Sequence, residues 1–86
     1  MKEIFLHKNF EKKYKKLEEK ERKRFKERLN LFLIDEFNPL LNNHMLKGNF
    51  NSYRSLNINA DLRLIFKEIQ KGYLLVDTDN HNNLYK

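Results

Sequence analysis

The chain of 86 residues has no cysteine and no tryptophan, only two glycines and a single proline. Without cysteine there is neither a disulfide framework nor a thiolate zinc site. No stretch approaches the ~20 consecutive apolar residues that a membrane-crossing helix needs. No early apolar run resembles a secretory signal, so the expected setting is cytoplasmic, with no membrane partner. Internal repeats, linkers and low-complexity tracts are also missing. The length fits one domain, residues 1–86, near the size at which a single core leaves a net stability of about 3–5 kcal/mol.

Charge is plentiful and unevenly placed. Residues 1–28 hold twelve Lys/Arg against six Asp/Glu, and the rest of the chain holds six against six, so the whole formal net charge of +6 falls on the first third. A basic surface of this kind attracts phosphate backbones and releases their counterions, which makes nucleic acid a natural partner. A solvated helical face has the same composition, so charge alone does not decide between the two.

Ile4-Phe5-Leu6 is a short β-capable run that precedes any helical period. Asn9 suits an N-cap, and Phe10, Tyr14 and Leu17 then recur at i, i+4 and i+7, with Lys12, Lys13, Lys15 and Lys16 around the remaining faces. A second amphipathic pattern from Glu19 to Ile34 aligns Phe25, Leu29, Phe32 and Leu33, and Asn38-Pro39 ends it. The apolar phase breaks across Glu18 to Arg24, so the two segments form a hairpin or one bent helix. A loop bearing Leu40, Leu41, His44 and Leu46 leads to Gly48.

The second half reads as strands: "SYRSLNI", "LRLIFKEI" and "YLLVDTD", separated by the turns "NAD" and "QKG", with Gly72 suited to a positive φ. The order β-α-α-β-β-β predicts an α+β domain, two N-terminal helices packed on one face of a small antiparallel sheet. Alternation places Leu56, Ile58, Leu62, Leu64 and Phe66 on the core face. Tyr53, Ser55, Asn57, Arg63 and Lys67 fall on the other, which is the face a site would use.

The run His44-x-Leu46-x-Gly48, then Tyr53-Arg54, Asp61 and "LIF", closed by His81-Asn82-Asn83-Leu84-Tyr85, resembles the YafQ branch of the RelE/ParE toxin superfamily. These motifs span residues 44–85, and the helical half agrees in length and pattern. The resemblance implies a RelE-like fold and a toxin of a type II toxin–antitoxin pair, partnered by a cognate antitoxin. Such toxins cut messenger RNA on the ribosome without a metal ion or other cofactor. The 2′-hydroxyl attacks the adjacent phosphate, leaving a 2′,3′-cyclic phosphate and a 5′-hydroxyl. The family's functional histidines, aspartate and C-terminal aromatic map onto His44, Asp61, His81 and Tyr85. Arg63 matches an arginine of the RelE and YoeB branches, and Arg54 aligns with a basic residue of the RelE branch.

Two positions depart from the pattern: Asn57 stands where a further histidine is usual, and Leu62 where a tryptophan often follows the aspartate. Asparagine carries no transferable proton at neutral pH, so one acid/base role is missing or reassigned. His44 and His81 suit proton transfer, since an unperturbed imidazole titrates near ~6.5. Arg63 offers a planar fork for phosphate oxygens, Lys47 a further cation, and Tyr85 a face on which a base can stack. Plainer roles compete for each of them. Arg63 can pair with Asp61 or Asp77, Tyr85 can plug the core, and Lys47 can be ordinary surface. Strict alternation also turns Arg54 to the core side with Leu56 and Ile58. His7 has no motif support and reads as structural or exposed. Two alternatives to the nuclease remain: a ParE-like toxin that inhibits gyrase without chemistry, and a basic RNA-binding module with no toxicity.

Overall fold

The structure, a computed structural model, describes residues 2–47, 52–80 and 84. Its elements are β1 (Glu3–Leu6), α1 (Lys8–Lys15), α2 (Glu19–Ile34), a single 3-10 turn (Pro39–Leu41), β2 (His44–Met45), β3 (Tyr53–Asn57), β4 (Leu62–Ile69) and β5 (Gly72–Asn80). The helical half is a hairpin of two separate helices. Its N-cap is His7 rather than Asn9: the imidazole Nδ1 accepts from the Asn9 backbone N–H at 3.0 Å, satisfying a donor that has no intrahelical partner. At the connection Arg22 Nη1 donates to the Leu17 carbonyl, and Glu21 accepts from the Glu18 N–H at 3.2 Å to start α2. That helix stops at Ile34, ahead of Asn38-Pro39, and Asn38 caps the 3-10 turn instead by accepting from the Leu40 N–H at 3.0 Å.

The sheet has five strands in the order β1-β5-β4-β3-β2. It is mixed rather than antiparallel throughout, because β1 lies parallel to β5 at one edge. At the other edge His44 and Met45 pair with Ser55 and Arg54, so the expected loop contains a short strand. Gly72 has a different reason to be glycine from the one its turn position suggests. It sits directly opposite Glu3, and a Cβ there would come within 1.9 Å of the Glu3 carbonyl oxygen. Close approach of β1, not a positive φ, demands the missing side chain.

Strand β5 carries a bulge. Ile65 pairs with Asp77 but Phe66 pairs with Leu75, leaving Val76 as the extra residue. Strict alternation would put Leu75 and Asp77 on one face; the bulge turns Leu75 to the helices and Asp77 away from them. The core on the helix side gathers Phe10, Phe25, Phe32, Leu41, Leu56, Ile58, Leu62, Leu64, Phe66, Tyr73 and Leu75. Two aromatic groups organise it. Phe10, Tyr14 and Phe25, with ring centroids 5.3–5.6 Å apart, lock the helices together. Phe32, Phe66 and Tyr73, at 4.7–5.8 Å, fasten α2 to the sheet. Such pairs are each worth about 0.5–1.5 kcal/mol beyond the area they bury.

Candidate functional site

Antiparallel register sets side chains in rows across the face turned away from the helices. One row is His44–Ser55–Ile65–Asp77 and the next is Asn57–Arg63–Asp79. His44 and Arg63 are therefore on the same face, two strands and one side-chain repeat apart. With strands about 4.8 Å apart and same-face residues about 6.8 Å apart along a strand, their Cα atoms are separated by roughly 12 Å. The floor between them is closed, since Ser55 and Ile65 are buried.

His44 is exposed on the edge strand, and its Nδ1 lies 2.8 Å from the carbonyl oxygen of Asn42. A carbonyl only accepts, so Nδ1 carries the hydrogen, and in the neutral ring Nε2 presents its lone pair to solvent. Asn42 holds that carbonyl in place from a left-handed backbone conformation, φ 44°, which asparagine adopts more readily than most residues.

Arg63 donates through Nη1 to the carbonyls of Asn59 at 2.8 Å and Leu62 at 3.3 Å. The expected alternatives, ion pairs to Asp61 or Asp77, are not formed. Nε and Nη2 have no partner among the described residues, which leaves a cationic edge available to an anion. Its cross-strand neighbour Asn57 has a buried Oδ1 with no hydrogen-bond partner among the described residues. Such an acceptor costs about 1–3 kcal/mol when left unsatisfied. Asp61 is exposed in the turn before β4, where its N–H donates to Asn59 Oδ1 at 2.9 Å.

Asp77 and Asp79 are taken up by the helical half. Beyond the end of β1, Lys13 of α1 reaches Asp77 at 2.9 Å and Asp79 at 3.4 Å. Burial lowers the Lys13 pKa, while hydrogen bonds and charge from Asp77 and then Asp79 more than offset it, so the ammonium titrates above an ordinary lysine. One cation of the basic helices thus serves as an internal clamp rather than as free surface.

The remaining sequence candidates separate. Lys47 is exposed just beyond β2. Arg54 has no bulge to turn it toward Arg63. It stays on the helix side, donating from Nε to Asn43 Oδ1 at 2.8 Å, with its guanidinium 5.6 Å from the centre of the Phe37 ring. Gly48, His81 and Tyr85 lie outside the described residues. Sequence reasoning missed Asn42 and Asn59, which hold the two candidate side chains through backbone carbonyls. The signal was an asparagine two residues before His44 and another at the head of the "NAD" turn, both favoured where a side chain folds back on its own backbone.

The family model described as "Bacterial toxin of type II toxin-antitoxin system, YafQ" matches residues 2–86. No curated protein matches the chain. Among solved structures, YafQ from E. coli strain BL21(DE3) superposes with a TM-score of 0.84 at 19% identity, covering 100% of both chains. YafQ in the E. coli DinJ–YafQ toxin–antitoxin complex gives 0.81 at 20% identity over 99% of this chain and 98% of that one. The YoeB–YefM complex from Staphylococcus aureus gives 0.77 at 20% identity, over 94% and 98%. These likenesses fix the RelE-like fold, and the match over nearly every residue fixes the family: the chain belongs to the YafQ family of bacterial toxins of type II toxin–antitoxin systems.

Proposed function

We propose that this toxin is a metal-independent, ribosome-dependent endonuclease of messenger RNA, acting in the cytoplasm and neutralised by a cognate antitoxin. The observation that supports it best is the placement, on one sheet face, of an imidazole whose Nε2 and an arginine whose Nε and Nη2 have no partner among the described residues. RNA cleavage by its own 2′-hydroxyl needs those two functions and a proton donor. His44 Nε2 takes the 2′-hydroxyl proton, and the freed oxygen bonds to phosphorus. Arg63 binds the phosphate oxygens as negative charge builds on them, a contribution of about 3–4 kcal/mol for one well-placed donor. The bond to the 5′-oxygen breaks, and His81 supplies the proton that oxygen needs, giving a 2′,3′-cyclic phosphate and a 5′-hydroxyl.

Asn57 cannot transfer a proton and its Oδ1 is buried, so the acid/base work falls to the two histidines. Asp61, exposed in the turn before β4, is the carboxylate that the family resemblance adds to the catalytic set. Lys47 contacts phosphate and Tyr85 stacks on a base. An RNA strand along the polar face would meet Arg54 only past the rim of β2, in keeping with its place on the helix side. The basic helices are suited to ribosomal RNA, and an acidic antitoxin that folds on binding complements the same charge.

Induced expression is expected to arrest growth, and primer extension on a translated transcript to show cuts in register with codons. His81→Ala should slow cleavage by about 10²–10⁴-fold while antitoxin binding persists, the range for one general acid or base. Cutting at the wild-type rate by that variant, with His44→Ala dead, overturns the roles given to the two histidines and withdraws the one carried over onto His81. Intact transcripts during arrest, with gyrase-dependent DNA breaks, overturn the nuclease in favour of a ParE-like toxin. Normal growth on induction leaves only an RNA-binding module.

A further inference from the structure

The turn between β3 and β4 is knotted around one side chain. Asn59 Oδ1 accepts from two backbone donors at once, the N–H of Asp61 at 2.9 Å and of Leu62 at 2.8 Å. The Leu62 carbonyl accepts in return from the N–H groups of Ile58 at 2.9 Å and Asn59 at 3.3 Å. The two carbonyls that this knot orients, those of Asn59 and Leu62, are the two that receive Arg63 Nη1. We infer that Asn59 is a positioning residue: through the turn it fixes the Arg63 guanidinium and so aims its free edge across the polar face.

The physical argument runs from degrees of freedom. An arginine side chain has four rotatable bonds and ordinarily samples many rotamers at a sheet surface. Here one end of the fork is tied to two carbonyls, and the carbonyls are rigid only while the turn is. A side-chain acceptor that holds two successive donors fixes the intervening peptide planes. Alanine at 59 leaves those donors to water and frees the Asn59 carbonyl to rotate. Aspartate has the same length and keeps an acceptor oxygen for both N–H groups. Phosphate binding by Arg63 benefits from the restraint because a group already aimed need not be ordered when substrate arrives.

This inference rests on the proposal that the toxin cleaves RNA with Arg63 at the phosphate, and the test separates the two. Single-turnover cleavage on programmed ribosomes with saturating toxin is expected to fall about 10–100-fold in Asn59→Ala, within the loss that a misplacement of about 1 Å produces. Asn59→Asp should recover most of that rate. In an Arg63→Ala background, Asn59→Ala should cost nothing further, because the side chain it positions is gone. Nitrogen-15 NMR of the free toxin gives a readout independent of activity: the Arg63 side-chain signals should show hindered guanidinium rotation in wild type and in Asn59→Asp, and averaging in Asn59→Ala. Wild-type rate and unchanged Arg63 signals in Asn59→Ala overturn the inference while leaving the nuclease intact. An equal rate loss in the presence and absence of Arg63 overturns it too, since the effect would then come from the fold. Failure of wild type to cut removes the underlying nuclease assignment, whereas wild-type cutting by Arg63→Ala leaves the nuclease and removes Arg63 from the phosphate; either takes the inference with it.

Discussion

The two faces of one sheet have opposite economies of contact. On the helix side every strand residue of the core has found its neighbours: Leu56, Leu64, Phe66 and Leu75 are almost wholly buried, and the aromatic rings meet in tilted and edge-on pairs. Even the buried Thr78 donates its hydroxyl to the Arg63 carbonyl at 2.8 Å. On the other face, among the described residues, the His44 Nε2 and two nitrogens of Arg63 have no partner, and the buried Asn57 Oδ1 is left unsatisfied. A period of two residues is all that divides them. Substitutions on one face should therefore move stability and leave chemistry intact in whatever remains folded, and those on the other should do the reverse.

The largest expected effect tests the helix side. Phe66→Ala removes a ring that contacts both Phe32 and Tyr73 and should cost about 3–5 kcal/mol, comparable with the entire net stability of a domain this small. Chemical denaturation should show loss of most of the folded population, and the antitoxin complex should rescue part of it by mass action. If the variant unfolds at the wild-type denaturant concentration, the aromatic group is not what fastens α2 to the sheet.

On the opposite face, His44→Ala should lower single-turnover cleavage by about 10²–10⁴-fold. Because the imidazole is exposed and its one described hydrogen bond is to Asn42, the melting temperature should hardly change. Arg63→Lys should be damaging as well, since an ammonium lacks the planar fork and cannot hold a carbonyl pair and a phosphate together. A variant at either position that melts early but cuts normally would collapse the division between the faces.

Much of this arrangement was legible in the sequence because it depends on short-range pattern. Periods of 3.6 and 2 located the helices and the three long strands, and alternation separated Leu62, Leu64 and Phe66 from Arg63. What escaped depends on contacts between distant segments. The parallel docking of β1 beside β5 joins residues about seventy apart, as the register of Glu3 on Gly72 shows, and no local pattern announces it. The bulge at Val76 reverses the facing of Asp77, which simple alternation would have sent toward the helices. His44 was expected in a loop because a strand of two residues has no period to detect. Of the candidate site, His44, Asp61 and Arg63 were all read from the family resemblance, and alternation alone already put Arg63 on the polar face. Their supports Asn42 and Asn59 act through backbone carbonyls and so leave only the faint mark of turn composition.

Gly72→Ala should fall below these in effect. A methyl group there would overlap the backbone of Glu3, and backbone cannot move aside as a flexible side chain can. The expected cost is about 1–3 kcal/mol, with β1 displaced from the sheet edge. Hydrogen exchange should then show lost protection at the His7 N–H, which donates to the Leu75 carbonyl at 2.9 Å, while the β3–β4 ladder stays protected. Unchanged exchange at His7 would mean that the parallel edge tolerates the side chain.

The smallest effect concerns the place where the helical half touches the polar face. Lys13→Met removes the cation shared by Asp77 and Asp79 and leaves two carboxylates near one another on β5. The lysine side chain is 35% exposed, so solvent screening limits its worth to about 0–1 kcal/mol, a shift of at most about 4–8 °C in the melting temperature. Its pH dependence has a definite sign. The folded pKa of Lys13 is raised above 10.5, so its stabilisation is fully present below that value and is lost as pH climbs through the folded pKa. The stability gap between wild type and Lys13→Met should thus be flat from neutrality to about pH 10 and close only at higher pH. Salt should narrow it throughout, since half-exposed charges are screened. Cleavage should be nearly unaffected, because Lys13 acts on the β5 carboxylates and not on His44 or Arg63. A large loss of cleavage with no change in stability would instead place Lys13 on the RNA path, and the boundary between the two faces would have to be redrawn through β5.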